Sequence, residues 1–549
     1  MTELTGKSAS EGIAIGKICL LKSPSHDIPE YEVKDTEKEL LRYRLSRDLA
    51  KEKLRSIHDK SLATLSKKES VIFQTHMMIL EDSKFVELVE AQISEGKNAE
   101  YAVYNAGDKL AKLFKGLDDE YFKARYTDII DAANILLEIL LKRDRRSEIL
   151  SLGYPVIIAA DDIMPSDAVT ISKDSILGFA TNNGSVNSHA SIIARTMSLP
   201  SLIQLHDLPD DCNGKTAIID GQGGRFIIDP DINTLALYSA KRERFNKQQQ
   251  RLMSQIGLRS ETRNGVYVRL TADIGRLDLL ESARRNDAEG IGLYRSEFLF
   301  TNRDKCPDES EQYETYKTII KAFEGKPVVI NTANVCSGRG VKYLDIPKEN
   351  NPSMGFRGIR ISLENRDFLR TQLSALLKAG VGTSMSILLP MITSVEEIDY
   401  VRRELESVKN RLQLNGEDFC EDIRLGAMIE TPAAAIIADT ISAKVDFLTI
   451  DTDTLIQYTL AMDKDNPKLE DFYRPHHPAV RRLLSYTIKT AKKNNAIISV
   501  CGGLAGDTAM TKFFIDLGVS ELILPPSKIL SIKALIRETV AEPYNYDED

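Results

Sequence analysis

Three textures of apolar and polar residues follow one another along the chain. From about residue 35 to 146 apolar side chains recur at helical spacing. Leu41, Leu45 and Leu49 stand at i, i+4 and i+8, and Ile129, Ala133, Leu136, Leu137 and Leu140 form a stripe in DIIDAANILLEILLKR. Few glycines interrupt this region, so it reads as a bundle of antiparallel helices.

From about 150 to 230 the pattern changes to short apolar strands between turn residues: YPVIIAAD, SILGFAT, LPSLIQL, KTAIIDG and GRFIIDP. One helix, His189 to Met197, is expected among them, which gives an α/β domain. The opening GIAIGKICLL also has a strand pattern and can return to this sheet, leaving the bundle as an insertion. The polar stretch 239–257 reads as a solvated linker helix.

Beyond it, eight strand-like segments alternate with helical ones: 267–273, 290–295, 327–332, 386–391, 424–430, 446–451, 496–501 and 521–526. That alternation predicts a (β/α)8 barrel, whose chemistry sits at the C-terminal ends of its strands. Polar groups recur at those ends. Arg295 ends the second strand, Asn331 and Asn334 lie at or past the third, and Glu430 ends the fifth. Asp451 and Asp453 end or follow the sixth, and Cys501 ends the seventh.

Composition narrows the function classes. Of 549 residues, 42% are hydrophobic and 28% charged, ordinary for a globular protein too long for one core. A net charge of -9 argues against a protein that neutralises nucleic-acid phosphates. The start of the chain has no secretory pattern and no apolar run reaches membrane-spanning length, so a cytoplasmic location is expected. The six cysteines form no CxxC pair, and the adjacent His476 and His477 in RPHHPAV read as a loop feature rather than a metal site.

His189 in NGSVNSHASIIARTM stands at an expected helix N-terminus, where backbone N–H groups favour an anion. An imidazole there can act as a nucleophile or simply cap and pack, and its position alone leaves both open.

The runs EGIAIGKICLL, FQTHMMILEDSKF, LDDEYFKARYTDIIDA, SHASIIAR, GIGLYRSEFLF, PKENNPSMGFRGIRI, PMITSVEEI, IETPAAA, QYTLAMD and CGGLAGD occur in this order. Together they resemble Enzyme I of the bacterial phosphoenolpyruvate-dependent sugar phosphotransferase system. The resemblance implies a swivelling α/β phosphohistidine domain (1–34 and 147–235) with an inserted helical carrier-binding domain (35–146). A linker helix (236–259) and a phosphoenolpyruvate-binding TIM barrel (260–549) follow. It implies that His189 accepts the phosphoryl group and passes it to a histidine-containing phosphocarrier protein that docks on the bundle around His76 and Arg125. Arg295 and Arg357 would hold the substrate phosphate, with Asn331, Asp453 and Lys464 at further substrate positions. Glu430 and Asp453 would ligate Mg2+, and Cys501 would protonate the enolate. A homodimer through the barrel and no nucleic-acid partner are further implications.

The resemblance also marks departures. The family's third-strand arginine falls on Asn331, its following aspartate on Asn334 and its lysine on Arg339. The threonine near the active histidine is Ala168, the second metal carboxylate falls on Thr454, a later substrate arginine on Lys464, and a glutamate on Gly503. These substitutions keep an alternative open at this point, a catalytically weakened paralogue that docks the carrier as a regulator.

Overall fold

The computed structural model describes the chain except residues 22–27, 65–66, 116–125, 143–151, 171–172, 186–187, 189–190, 192–193, 196, 198, 338–340, 465, 470 and 545–549. It forms two compact units, Met1–Gln249 and Gln250–Asp549.

In the first unit, an eight-stranded sheet gathers β1 (Thr2–Thr5), β2 (Lys7–Ser10), β3 (Ile13–Leu21), β4 (Val156–Ala160), β5 (Ile176–Thr181), β6 (Ser201–Ile203), β7 (Thr216–Asp220) and β8 (Arg225–Ile228). Their order is β1-β8-β7-β3-β4-β5-β6-β2. β3 and β4 are parallel neighbours, Lys17 opposite Val156 and Leu21 opposite Ala160. Between these two strands the chain makes the helices α1 (Thr36–Thr64), α2 (Lys67–Glu81), α3 (Ser83–Ser94), α4 (Ala99–Lys115) and α5 (Tyr126–Leu140).

The helices share a core of Tyr43, Leu54, Ile57, Phe73, Phe85, Val89, Val103 and Leu136 among others. Local signals set their ends. Asp82 caps α3 by accepting the N–H groups of Lys84 and Phe85 at 2.9 and 3.2 Å. Arg42 fixes the start of α1, donating to Glu39 and to Glu100 on α4.

The helical spacing of Leu41, Leu45 and Leu49 lies within α1, but on its outer face, where they are 59%, 58% and 54% exposed. α1 carries two stripes at helical spacing, and the buried one is Tyr43, Ala50, Leu54 and Ile57. The leucine stripe runs out at Glu52 and Lys53, whereas the other continues to Ile57 and covers more apolar surface.

The linker helix begins earlier than expected, spanning Ile232–Met253, with Tyr238 as its buried residue. Among the described residues no helix is long and apolar enough to cross a membrane.

The second unit is a closed parallel barrel of β9 (Arg269–Ile274), β10 (Ile291–Tyr294), β11 (Val328–Asn331), β12 (Met385–Leu389), β13 (Arg424–Ile429), β14 (Phe447–Asp451), β15 (Ile497–Cys501) and β16 (Glu521–Leu524). One set of strand side chains packs on the surrounding helices in a single large core. The other set meets only strand residues: Leu293, Leu388, Met428, Phe447, Cys501 and Ile523 fill the lumen. Glu521 also lies inside, accepting from Thr271 Oγ1 at 2.6 Å and Ser499 Oγ at 2.8 Å. A filled lumen leaves only the mouth for a ligand.

Candidate active site

Arg295 follows β10 and is the centre of the mouth. Its Nε and one terminal nitrogen donate to the two oxygens of Asp273, on β9, at 2.9 and 2.8 Å. Its other terminal nitrogen lies 3.6 Å from Asp451, the last residue of β14. Burial works against the guanidinium charge, but Asp273 and Asp451 outweigh it and hold its pKa well above the usual value. A fixed cation with two carboxylates around it results.

Asp451 is buried and caps the helix Thr452–Leu460, accepting the N–H groups of Asp453 at 3.0 Å and Thr454 at 3.3 Å. It stands opposite Cys501 in the β14–β15 register. Cys501 is fully buried. Burial, with Asp451 beside it, pushes its thiol well above the ordinary range, and Arg295 offsets this only in part. Such a thiol keeps its proton at neutral pH.

The loop after β15 comes close to the Thr452–Asp453 turn. Gly503 N–H donates to Asp453 Oδ1 at 2.7 Å. Gly502 has φ +87°, and a Cβ on it would lie 2.5 Å from Thr452 Oγ1, so this approach requires glycine.

Glu430 follows β13, is buried, and accepts the N–H of Met391. Burial raises its pKa and the charge of Asp451 raises it further, against the pull of Arg357 and Arg295. Arg357 donates through Nε and a terminal nitrogen to Asn334 Oδ1 at 3.3 and 3.1 Å. Tyr458, from the helix Thr452–Leu460, donates to the carbonyl of Ser353 and lies within electrostatic reach of both Arg357 and Glu430.

Arg295, Arg357, Glu430, Asp451, Asp453 and Cys501 are therefore linked by contacts or mutual charge effects at one end of the barrel. Two other expected residues are placed differently. Asn331 is 1% exposed and held on both sides of its amide: its Oδ1 accepts from Ser296 N–H at 2.7 Å and its Nδ2 donates to Glu297 at 3.0 Å. It ties β11 to the turn after β10. Lys464 is exposed, and its recorded hydrogen bond is a backbone one to Gln457 at 3.4 Å.

Asp273 was not singled out by sequence reasoning. Its signal is a carboxylate near the end of an otherwise apolar first strand, RLTADI. Tyr458 lay inside the QYTLAMD run without a role of its own.

No group of three or more His, Cys, Asp or Glu residues placed to hold a metal occurs among the described residues. Glu430, within electrostatic reach of Arg357 and Arg295, and Asp453, beside Cys501, offer two carboxylates at this end of the barrel. That set fits a hard divalent ion that takes its remaining oxygens from substrate and water. The buried, proton-retaining carboxylate of Glu430 is what such an ion would relieve.

In the first unit, His189 and Arg125 lie outside the described residues. Beside position 189, Ser188 Oγ donates to Ser191 Oγ at 3.0 Å and accepts its N–H at 3.3 Å, and Ser191 Oγ donates to the Ser185 carbonyl at 2.8 Å. The expected docking role of His76 is overturned: it is 0% exposed. Its ring lies between Asp131 at 3.6 Å and Asp128 at 3.7 Å. His477 caps the helix Pro478–Ala491 through Nδ1, and His476 pairs with Asp507 at 2.8 Å.

The barrel that carries these residues falls within a described class. The family described as PEP-utilising enzyme, PEP-binding domain, matches residues 248–541. The N-terminal domain of such enzymes matches 5–125 and their mobile domain 153–224. The phosphoenolpyruvate-protein phosphotransferase of Bacillus sp. (strain S) is 36% identical over 539 residues, covering 98% of this chain and 93% of that one. That of Bacillus subtilis (strain 168) is 34% identical over 538 residues, covering 98% and 94%. An Enzyme I (nEIt) protein solved by NMR is 32% identical, covering 44% of this chain and 99% of its own, with a TM-score of 0.36. The chain belongs to the phosphoenolpyruvate-protein phosphotransferase family, Enzyme I.

Proposed function

We propose that this enzyme transfers the phosphoryl group of phosphoenolpyruvate to its own His189, and from there to a histidine of a small phosphocarrier protein. The observation that carries the reading is identity of about one residue in three over 98% of the chain to proteins that bear this activity as their name. The geometry of the barrel mouth supports it.

Arg295 and Arg357 present guanidinium forks to the phosphate, which is how planar donors recognise such oxygens. A ring nitrogen of His189 attacks phosphorus, the P–O bond to the enol oxygen breaks, and the enolate leaves. Cys501, held as a thiol by burial and Asp451, gives its proton to the enolate carbon to make pyruvate and is reprotonated from water. Mg2+, taken by Glu430 and Asp453 together with substrate oxygens, would supply neutralisation of the phosphate charge. Lys464 reaches the phosphate only from an exposed loop, and Asn331 serves as a brace for Ser296 and Glu297 rather than a substrate ligand.

The bundle 35–146 is the docking region for the carrier in this reading, without His76, and the barrel is the homodimer contact. The swivelling domain carries 189, and the sugar phosphotransferase system in the cytoplasm is the setting.

Labelled phosphoenolpyruvate with Mg2+ should give acid-labile, base-stable label on the chain, and His189→Ala should remove it. Adding a histidine phosphocarrier should move the label onward. A chain that never takes label under non-acidic work-up, with substrate and metal present, would end this reading.

A further inference from the structure

α1 has an unpartnered outer face. Leu41, Leu45 and Leu49 are each more than half exposed on it, on the side of the helix opposite Tyr43, Ala50 and Leu54. At 100° per residue, Lys38 and Glu52 fall on the same outer stripe as the leucines. Both are exposed. Among the described residues neither side chain has an ion pair or hydrogen bond. Three cations on α1 are paired elsewhere: Arg44 with Glu90, Lys51 with Glu81, Lys53 with Glu138.

The stripe is its own complement. Leu41 and Leu49 stand four residues on either side of Leu45, and Lys38 and Glu52 stand seven on either side. A two-fold axis through Leu45, perpendicular to the helix, sets Leu45 on Leu45, each Leu41 on a Leu49, and each Lys38 opposite a Glu52. Such self-complementarity is the signature of an isologous contact. We propose that this face pairs antiparallel with the same face of a second copy of the chain.

The leucines supply roughly 300 Å2 per copy, against the roughly 800 Å2 a side of a stable dimer. The contact is therefore weak and concentration-dependent, and the charge pairs set its direction. It is independent of the catalytic reading and of any contact through the barrel.

The test is sedimentation velocity of the full chain at low salt, across tens to hundreds of micromolar. Wild type should associate beyond its state at low concentration, and Leu45→Glu should not. Lys38→Glu alone and Glu52→Lys alone should each weaken association at least fivefold, since each sets like charges opposite twice. An equimolar mixture of the two single variants should restore it, as should the double variant, because both arrangements recover two opposite-charge pairs. Contacts through the barrel are unchanged by these substitutions and do not respond to mixing. Circular dichroism establishes that each variant folds. Association that ignores the charge variants, or fails to return on mixing, overturns the proposal. So does a Leu45→Glu chain that self-associates like wild type but loses affinity for the phosphocarrier.

Discussion

At the scale of single residues, the mouth of the barrel sets Arg295 between competing demands. Asp273 holds the guanidinium through two hydrogen bonds, which orients it but also opposes an incoming phosphate. Across the roughly 7 Å of a shared guanidinium, repulsion between that carboxylate and a bound phosphate is worth about 1 kcal/mol at the near-water dielectric (about 80) of an open mouth, a factor of about five. Asp273→Asn keeps a hydrogen-bond acceptor and removes the charge. It should lower KM for phosphoenolpyruvate about fivefold with kcat changed by less; steady-state kinetics of pyruvate release read this, and a raised KM would mean that orientation outweighs repulsion. Glu430 gives a second test. Its folded-state pKa lies above that of the unfolded chain, so the folded protein holds the extra proton once pH rises past about 4.3. Stability is therefore fully present below that pH and declines as pH rises toward the folded value. Metal-free Glu430→Gln should melt about 2–6 °C above wild type at pH 8 and level with it near pH 4. The variant should also lose the rise in Tm that Mg2+ gives wild type. A variant that melts lower at pH 8 would contradict the assignment.

At the scale of elements, a buried carboxylate ties the bundle to the helix Pro165–Thr170 that follows β4. Asp131 of α5 accepts the Ser166 hydroxyl at 2.5 Å and the Ser166 N–H at 3.1 Å, and His76 of α2 lies on its other side. Burial raises the Asp131 pKa against the pull of these partners. Ser166→Ala removes a donor from a group that cannot reach water, at a cost of about 1–3 kcal/mol. Urea unfolding of the first unit's transition should show that loss, and adding Asp131→Asn should cost less than the sum of the two single changes. The elements also show what the sequence makes legible. The barrel strands were readable because each is an apolar run of four to six residues, walled by turn residues and alternating with helices. β1 and β2, TELT and KSAS, were not readable. They are the two edges of the sheet, where one side meets water and the apolar signature fades. The outer leucines of α1 gave the helix but not its buried face, because helical spacing marks a stripe without saying which stripe the bundle covers. Arg295, Glu430, Asp451 and Cys501 could be found at strand ends. Asn331 could be found too, but its engagement with Ser296 and Glu297 depends on a turn that no spacing encodes.

At the scale of the whole molecule, the proposed reaction joins two units that each have a core of their own. The barrel packs its strands on its helices without any residue before 268 in that core, and the bundle and sheet are packed within the first unit. The division falls at Gln249 and Gln250, inside the polar helix Ile232–Met253. Each unit is thus expected to fold when expressed alone, and the covalent link supplies proximity rather than stability. A tether of this kind gives an effective concentration in the millimolar range. Separate chains 1–249 and 250–549 mixed at about 1 μM should then label His189 about 100-fold or more slowly than the intact protein, if they have no strong affinity for one another. The rate should rise in proportion to the concentration of 250–549, whereas labelling of the intact chain should not depend on its concentration. Quench-flow labelling with phosphoenolpyruvate and Mg2+ distinguishes the two. Equal rates at micromolar concentration would require a tight interface between the units, and then the helix would be an ornament to that interface rather than the element that keeps donor and acceptor within reach.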